Sequence, residues 1–184
     1  MFGVMNNLTE ALADVEYAFR HLEFAIRLMC YCEHDHLDLA SFDTDVTIVL
    51  EAENIGFRTG TFPTHDSVVP PSQALVGMAF GVSAMVLEAA FEVAGKTRKP
   101  ASRTPEDELR TLIYMLRCAF AHNPALPLWE ARGKDYARQL SLQLEKTTLT
   151  IDFASLSGKP FAYEDIGGFA NWFKIRAMAE SLLR

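Results

Sequence analysis

Apolar residues recur at three-to-four spacing in three stretches of the chain, each framed by helix punctuation. Leu12, Val15, Phe19, Leu22, Ile26 and Met29 form one such stripe and predict a helix over residues 7–37. Asn7 is its candidate N-cap, with Glu10 at the capping-box position. A second stripe predicts a helix over 104–122, opened by Thr104 as cap, Pro105 at the first helical position and acids in the first turn. Pro124 disfavours helix at Asn123 and sets its end near His122. A third helix is expected over 169–183, entered through Gly167 and Gly168.

Residues 74–87 differ, because their apolar side chains occupy every face. A bilayer span needs about 20 apolar residues, so the stretch reads as part of a buried helix over 73–93 and not as a membrane segment. Gly77 and Gly81, with Ala84 beyond, would let another helix approach closely. So much apolar surface on a small domain predicts a homodimer. Between the helices, 46–51 is β-branched and 55–62 alternates weakly, while 142–145 and 148–153 alternate clearly around Lys146 and Thr147, which reads as a hairpin. Pro, Gly and polar content mark 61–71, 96–103 and 123–133 as loops. The pattern predicts a single domain over 1–184, mainly α: a helical bundle with small peripheral β-hairpins.

Composition narrows the class. A chain of 184 residues that is 49% hydrophobic and contains 13 Phe is neither disordered nor of low complexity. Its net charge of −7 argues against non-specific coating of DNA. Three cysteines do not make a disulfide scaffold, and the first sixteen residues lack the basic-then-apolar layout of a signal peptide. A cytoplasmic protein without a membrane association is the expectation. Charge is uneven, however. Residues 96–138 contain nine Lys or Arg against five acids, a segment able to focus an anionic ligand.

Two constellations carry candidate chemistry. Cys30, Cys32, His34 and His36 fall within seven residues, but on a helix the pairs 30/34 and 32/36 point to nearly opposite faces. One tetrahedral metal site needs all four to converge, so no metal and no cofactor is expected, and the run reads as a helix end with histidines near its dipole. The other lies on the helix over 104–122. Leu109, Leu112, Ile113, Leu116, Ala119 and Phe120 share its core arc, while Arg110, Tyr114, Arg117, Cys118 and His122 lie off it. Arg117 and His122 are about 140° apart in projection and about 7.5 Å apart along the axis. A guanidinium, a phenol and an imidazole on one side suit the grip of a phosphate, since Arg offers a bidentate fork and His near a helix end exchanges protons. An ion pair at Arg117 and a capping role for His122 would explain the same residues without a ligand.

Arg117 and His122 at the end of a long helix, followed by Asn123-Pro124, resemble the motif of the HEPN (higher eukaryotes and prokaryotes nucleotide-binding) superfamily, and LIYMLRCAFAHNPALPLW looks like its bacterial members. The resemblance covers residues 72–140 and implies a dimeric all-α bundle whose two Arg/His pairs share a cleft. It implies a metal-independent endoribonuclease of toxin or defence type, with RNA as substrate and an antitoxin as partner. Catalysis would fall to Arg117, stabilising charge on the phosphate oxygens, and to His122 as general acid or base. Tyr114, Arg110 and Asn123 would bind the substrate backbone. The family usually places Asn or Asp straight after the Arg, where this chain has Cys118. A non-catalytic nucleotide- or RNA-binding regulatory module of the same fold is the second function class.

Overall fold

The computed structural model describes residues 7–99 and 101–184, so the first six of the sixteen residues read above against a signal peptide lie outside the described residues. Helix α1 (Leu8–Glu33) starts where the sequence places it, with the Asn7 side chain accepting the Glu10 N–H at 2.9 Å. It ends four residues before the expected position 37. Asp35 turns left-handed (φ 55°), and the N–H groups of Asp35 and His36 return to the carbonyls of Cys32 and Tyr31. Those two bonds satisfy carbonyls that the helix end would otherwise orphan.

After the short α2 (Leu39–Phe42), strands β1 (Val46–Val49) and β2 (Asn54–Phe57) form an antiparallel hairpin that pairs with no third strand among the described residues. At its base the Asp43 carboxylate accepts the N–H groups of Gly60 and Phe62 at 2.8 and 3.0 Å, and Thr59 Oγ1 donates to the Asp43 carbonyl. The rings of Phe42 and Phe62 meet 5.7 Å apart beneath it.

Helix α3 (His65–Val93) corrects two expectations. The segment 61–71 is a loop only as far as Thr64, because Ser67 Oγ donates to the Thr64 carbonyl and starts the helix. Pro70 and Pro71 then sit inside it: each forgoes a main-chain bond but carries a φ already fixed near the helical value. The longer helix is also long and apolar enough to cross a bilayer by length and composition, which the stretch 74–87 alone is not. More than half of that apolar window is buried inside the fold, against α1 on one side and α4 on the other. Gly81 permits the second contact. A Cβ there would lie 2.8 Å from Cδ1 of Phe120, so its smallness serves a helix of the same chain.

Helix α4 (Pro105–Ala121) is capped by Thr104, whose hydroxyl accepts the Asp107 N–H, and it ends at His122 as expected. Strands β3 (Gln139–Leu144) and β4 (Thr147–Asp152) pair with Leu140 opposite Ile151 and Leu142 opposite Leu149. The turn is Glu145–Lys146, one residue earlier than expected, because Glu145 takes the positive φ (45°). A short α5 (Phe153–Leu156) and a 3-10 turn (Tyr163–Ile166) lead through Gly167 (φ 75°) and Gly168 (φ 83°) into α6 (Phe169–Leu183).

The fold is mainly helical with two small antiparallel hairpins. One hydrophobic core joins all four long helices and β3–β4, centred on Phe80 among the rings of Phe120, Phe161 and Trp172. The polar edge of Trp172 is satisfied inside it, since its Nε1 donates to Ser83 Oγ at 2.9 Å and Ser83 donates onward to the Phe80 carbonyl.

Candidate functional site

The last two turns of α4 carry Tyr114, Arg117, Cys118 and His122 outside its buried face. Arg117 and His122 are exposed, and among the described residues neither side chain makes an ion pair or hydrogen bond. The ligand-free explanation, with Arg117 paired and His122 capping carbonyls, is therefore not what holds them. Cys118 and Tyr114 continue the same surface, both half-buried. The Tyr114 hydroxyl is engaged by Cys118, which pushes its pKa above the usual phenol value, with burial adding to the shift. The Arg98 guanidinium lies over the Tyr114 ring, 3.7 Å from its centroid, and the Tyr136 ring packs 5.3 Å away. Tyr114 is thus a rigid wall of the strip and not a free phenol.

Asn123 has a local duty. Its Oδ1 accepts the N–H groups of Ala125 and Leu126 at 3.2 and 3.3 Å, turning the chain away from the helix before Pro124. Beneath that turn Cys118, His122, Asn123, Leu126, Leu128 and Glu130 line a cavity of about 50 Å³. Glu130 is the acid of this group, and it pairs outward with Arg132 at 3.0 Å.

Arg110 departs from the expectation. It is buried, with Nη1 donating to Oε2 of Glu88 at 2.5 Å and Nη2 to the Lys96 carbonyl at 3.2 Å, while the guanidinium stacks on Phe91. Position on the helix put it off the α4 core arc, but the neighbouring α3 covers that side. Glu88 also accepts from Arg98 at 2.9 Å, so two arginines hold one carboxylate. Burial raises the Glu88 pKa above the ordinary carboxylate value, against the pull of Arg110. The signal for this lay in α3 and not in α4: Glu88 interrupts an apolar run whose faces are all in demand, and a carboxylate there needs a partner.

The same pairing reduces the basic segment. Arg98 and Arg110 are bound to Glu88, Arg138 to Glu108 at 2.8 Å, and Lys96 to Glu106 at 3.1 Å. Arg117 stands apart from these internal pairs. Arg98, Tyr136 and Glu130 are additions to the site that spacing along α4 could not reveal, since each comes from another segment. At the other candidate constellation, Cys30 is exposed and Cys32 buried, and the His34 and His36 rings lie 6.2 Å apart. Among the described residues, no three His, Cys, Asp or Glu side chains gather as a metal site.

Compared with family models, with curated proteins and with solved structures, the chain matches none.

Proposed function

We propose that this is a HEPN-like protein that binds RNA at Arg117 and His122 and cleaves it without metal, at a cleft completed by a second copy. The observation that carries the reading is the freedom of these two side chains: they stand exposed on one helix end while Arg98, Arg110 and Arg138 are held by the buried carboxylates of Glu88 and Glu108. The chemistry is attack of a ribose 2′-oxygen on the adjacent phosphorus, with departure of the 5′-oxygen. His122 takes the proton from the 2′-hydroxyl or returns one to the leaving oxygen, and the Arg117 fork neutralises the phosphate oxygens. Tyr114, held between Arg98 and Tyr136, offers a fixed ring for the substrate backbone or a base. A toxin or defence role with an antitoxin partner belongs to the same reading.

A second reading, a nucleotide- or RNA-binding module without cleavage, is favoured by Cys118. It occupies the place of the family's Asn or Asp and is turned toward the Tyr114 hydroxyl.

Incubation of the purified chain with RNA in EDTA separates the two. Cleavage that persists in EDTA, is abolished in His122→Ala and is mostly lost in Arg117→Lys supports the nuclease. A folded wild type that binds RNA without cutting it, and loses affinity in Arg117→Ala, supports the binding module. Neither binding nor cleavage would end both readings. The variants should fold, since exposed side chains without partners contribute little to stability.

A further inference from the structure

The turn that follows α4 borders two cavities. His122 and Asn123 line the small one already described. Pro124 and Pro127 close the other, of about 330 Å³, against Gln73 and Gly77 of α3 and the rings of Phe161 and Tyr163. That volume is at the lower end of small-molecule sites. Aromatic and proline rings supply most of its wall, and no side chain lining it is charged at neutral pH.

Polar atoms without partners converge there. A Cβ at Gly77 would lie 3.8 Å from the Pro124 carbonyl oxygen and 3.9 Å from the Tyr163 hydroxyl, so both groups face the space that the glycine leaves. Among the described residues neither makes a hydrogen bond. The Tyr163 ring is fixed, 4.3 Å from Phe169 and edge-on to Phe161 at 5.3 Å. Burial, with the Glu164 carboxylate adding to it, pushes its pKa above the usual phenol value, so the hydroxyl stays a donor. Gln73 Nε2 donates to Glu33 at 3.0 Å, which leaves Oε1 as a second acceptor. The cavity beneath Phe42 and Phe62, about 250 Å³, differs: its one hydroxyl, Ser72, is used on the Val69 carbonyl at 2.7 Å.

Uncharged walls with a few unpaired polar atoms suit a neutral flat ring with a polar edge. One donor beside two acceptors matches an amino group next to a ring nitrogen, the edge of adenine and cytosine, whereas uracil has a carbonyl in place of the amino group. The location fits as well. Pro124 is two residues from His122, a span of at most about 7 Å, comparable to the reach from a phosphate to its own base.

We propose that this cavity is a base pocket, taking an unpaired adenine or cytosine of an RNA whose phosphate lies at Arg117 and His122. The Tyr163 hydroxyl donates to the ring nitrogen, and the Pro124 carbonyl and Gln73 Oε1 accept from the amino group. The choice of a nucleobase rests on the reading of Arg117 and His122 as an RNA site; the cavity and its unpaired atoms do not.

Neutral nucleosides test the pocket apart from the phosphate site, because they have no charge for Arg117 to hold. Adenosine, cytidine and uridine are titrated into the full chain and followed by amide shifts in NMR. Adenosine and cytidine should move the amides of Gly77 and Tyr163, with uridine at least about tenfold weaker. Tyr163→Phe keeps the ring and should weaken adenosine about three- to tenfold, the loss of one hydrogen bond. Gly77→Ala sets a methyl between the two polar atoms and should weaken it at least about as much. Both variants should fold, since the methyl meets its neighbours at ordinary contact distance and alanine favours a helix. No shift at Gly77 and Tyr163 with any nucleoside at millimolar concentration overturns the pocket. So does uridine binding as tightly as adenosine, or wild-type affinity in both variants. RNA cleavage in EDTA by a chain that binds no nucleoside would remove the pocket and leave the Arg117/His122 reading in place. Nucleoside binding by a chain that neither binds nor cuts RNA would end that reading while the pocket stands.

Discussion

The two hairpins are alike in topology and opposite in circumstance. In β3–β4, Leu140, Leu142, Leu144 and Ile151 are buried against the helices, and alternate residues face water. In β1–β2 no residue is buried, although its residues are as β-branched and as apolar. Strand-forming composition is therefore enough to make a ribbon in either place, and only the helix surface beneath decides whether the ribbon becomes core. The hairpin keeps its shape through main-chain pairing and the Asp43 clasp, and its apolar face is left exposed.

Hydrogen exchange should separate the hairpins most widely. In a dilute sample the β3–β4 amides should open only with the whole fold, at roughly 5–15 kcal/mol, and the β1–β2 amides near zero. Equal protection would mean that the β1–β2 hairpin is packed within one chain. Leu142→Ala comes next. It removes a fully buried side chain from the covered hairpin and should cost about 2–5 kcal/mol by denaturant unfolding. A loss under about 1 kcal/mol, the scale of an ordinary surface change, would show that β3–β4 is not part of the core. Ile48→Ser, the matching change on β1–β2, should move monomer stability by no more than about 0.5 kcal/mol.

The covered hairpin was the more legible of the two for the same reason. Its alternation of Leu142, Leu144, Leu149, Ile151 and Phe153 records a buried face, whereas 46–51 shows only β-branching, because nothing in the monomer selects one side. Helix caps at Asn7 and Thr104 act within three residues, so they could be read directly from the chain. The start of α3 could not: Pro70 and Pro71 signal a break, yet the helix runs through them with Val68 and Val76 buried on either side. Arg117, Cys118 and His122 were legible as a strip because they share one helix. Arg98 over Tyr114, and Glu88 beneath Arg110, join segments far apart in sequence, and periodicity within a helix carries no information about them.

The clasp at the base of the β1–β2 hairpin has a further consequence. Asp43 binds Gly60 and Phe62 directly, so the chain leaves the bundle and returns to it at almost the same point. Everything between is a detour that the helices need not sense. Such a closed doorway is where a lineage can lengthen, shorten or exchange a segment without disturbing its scaffold. It also gives the experimenter a grafting point, where a tag or a foreign loop could replace residues 44–58 while the bundle stays folded.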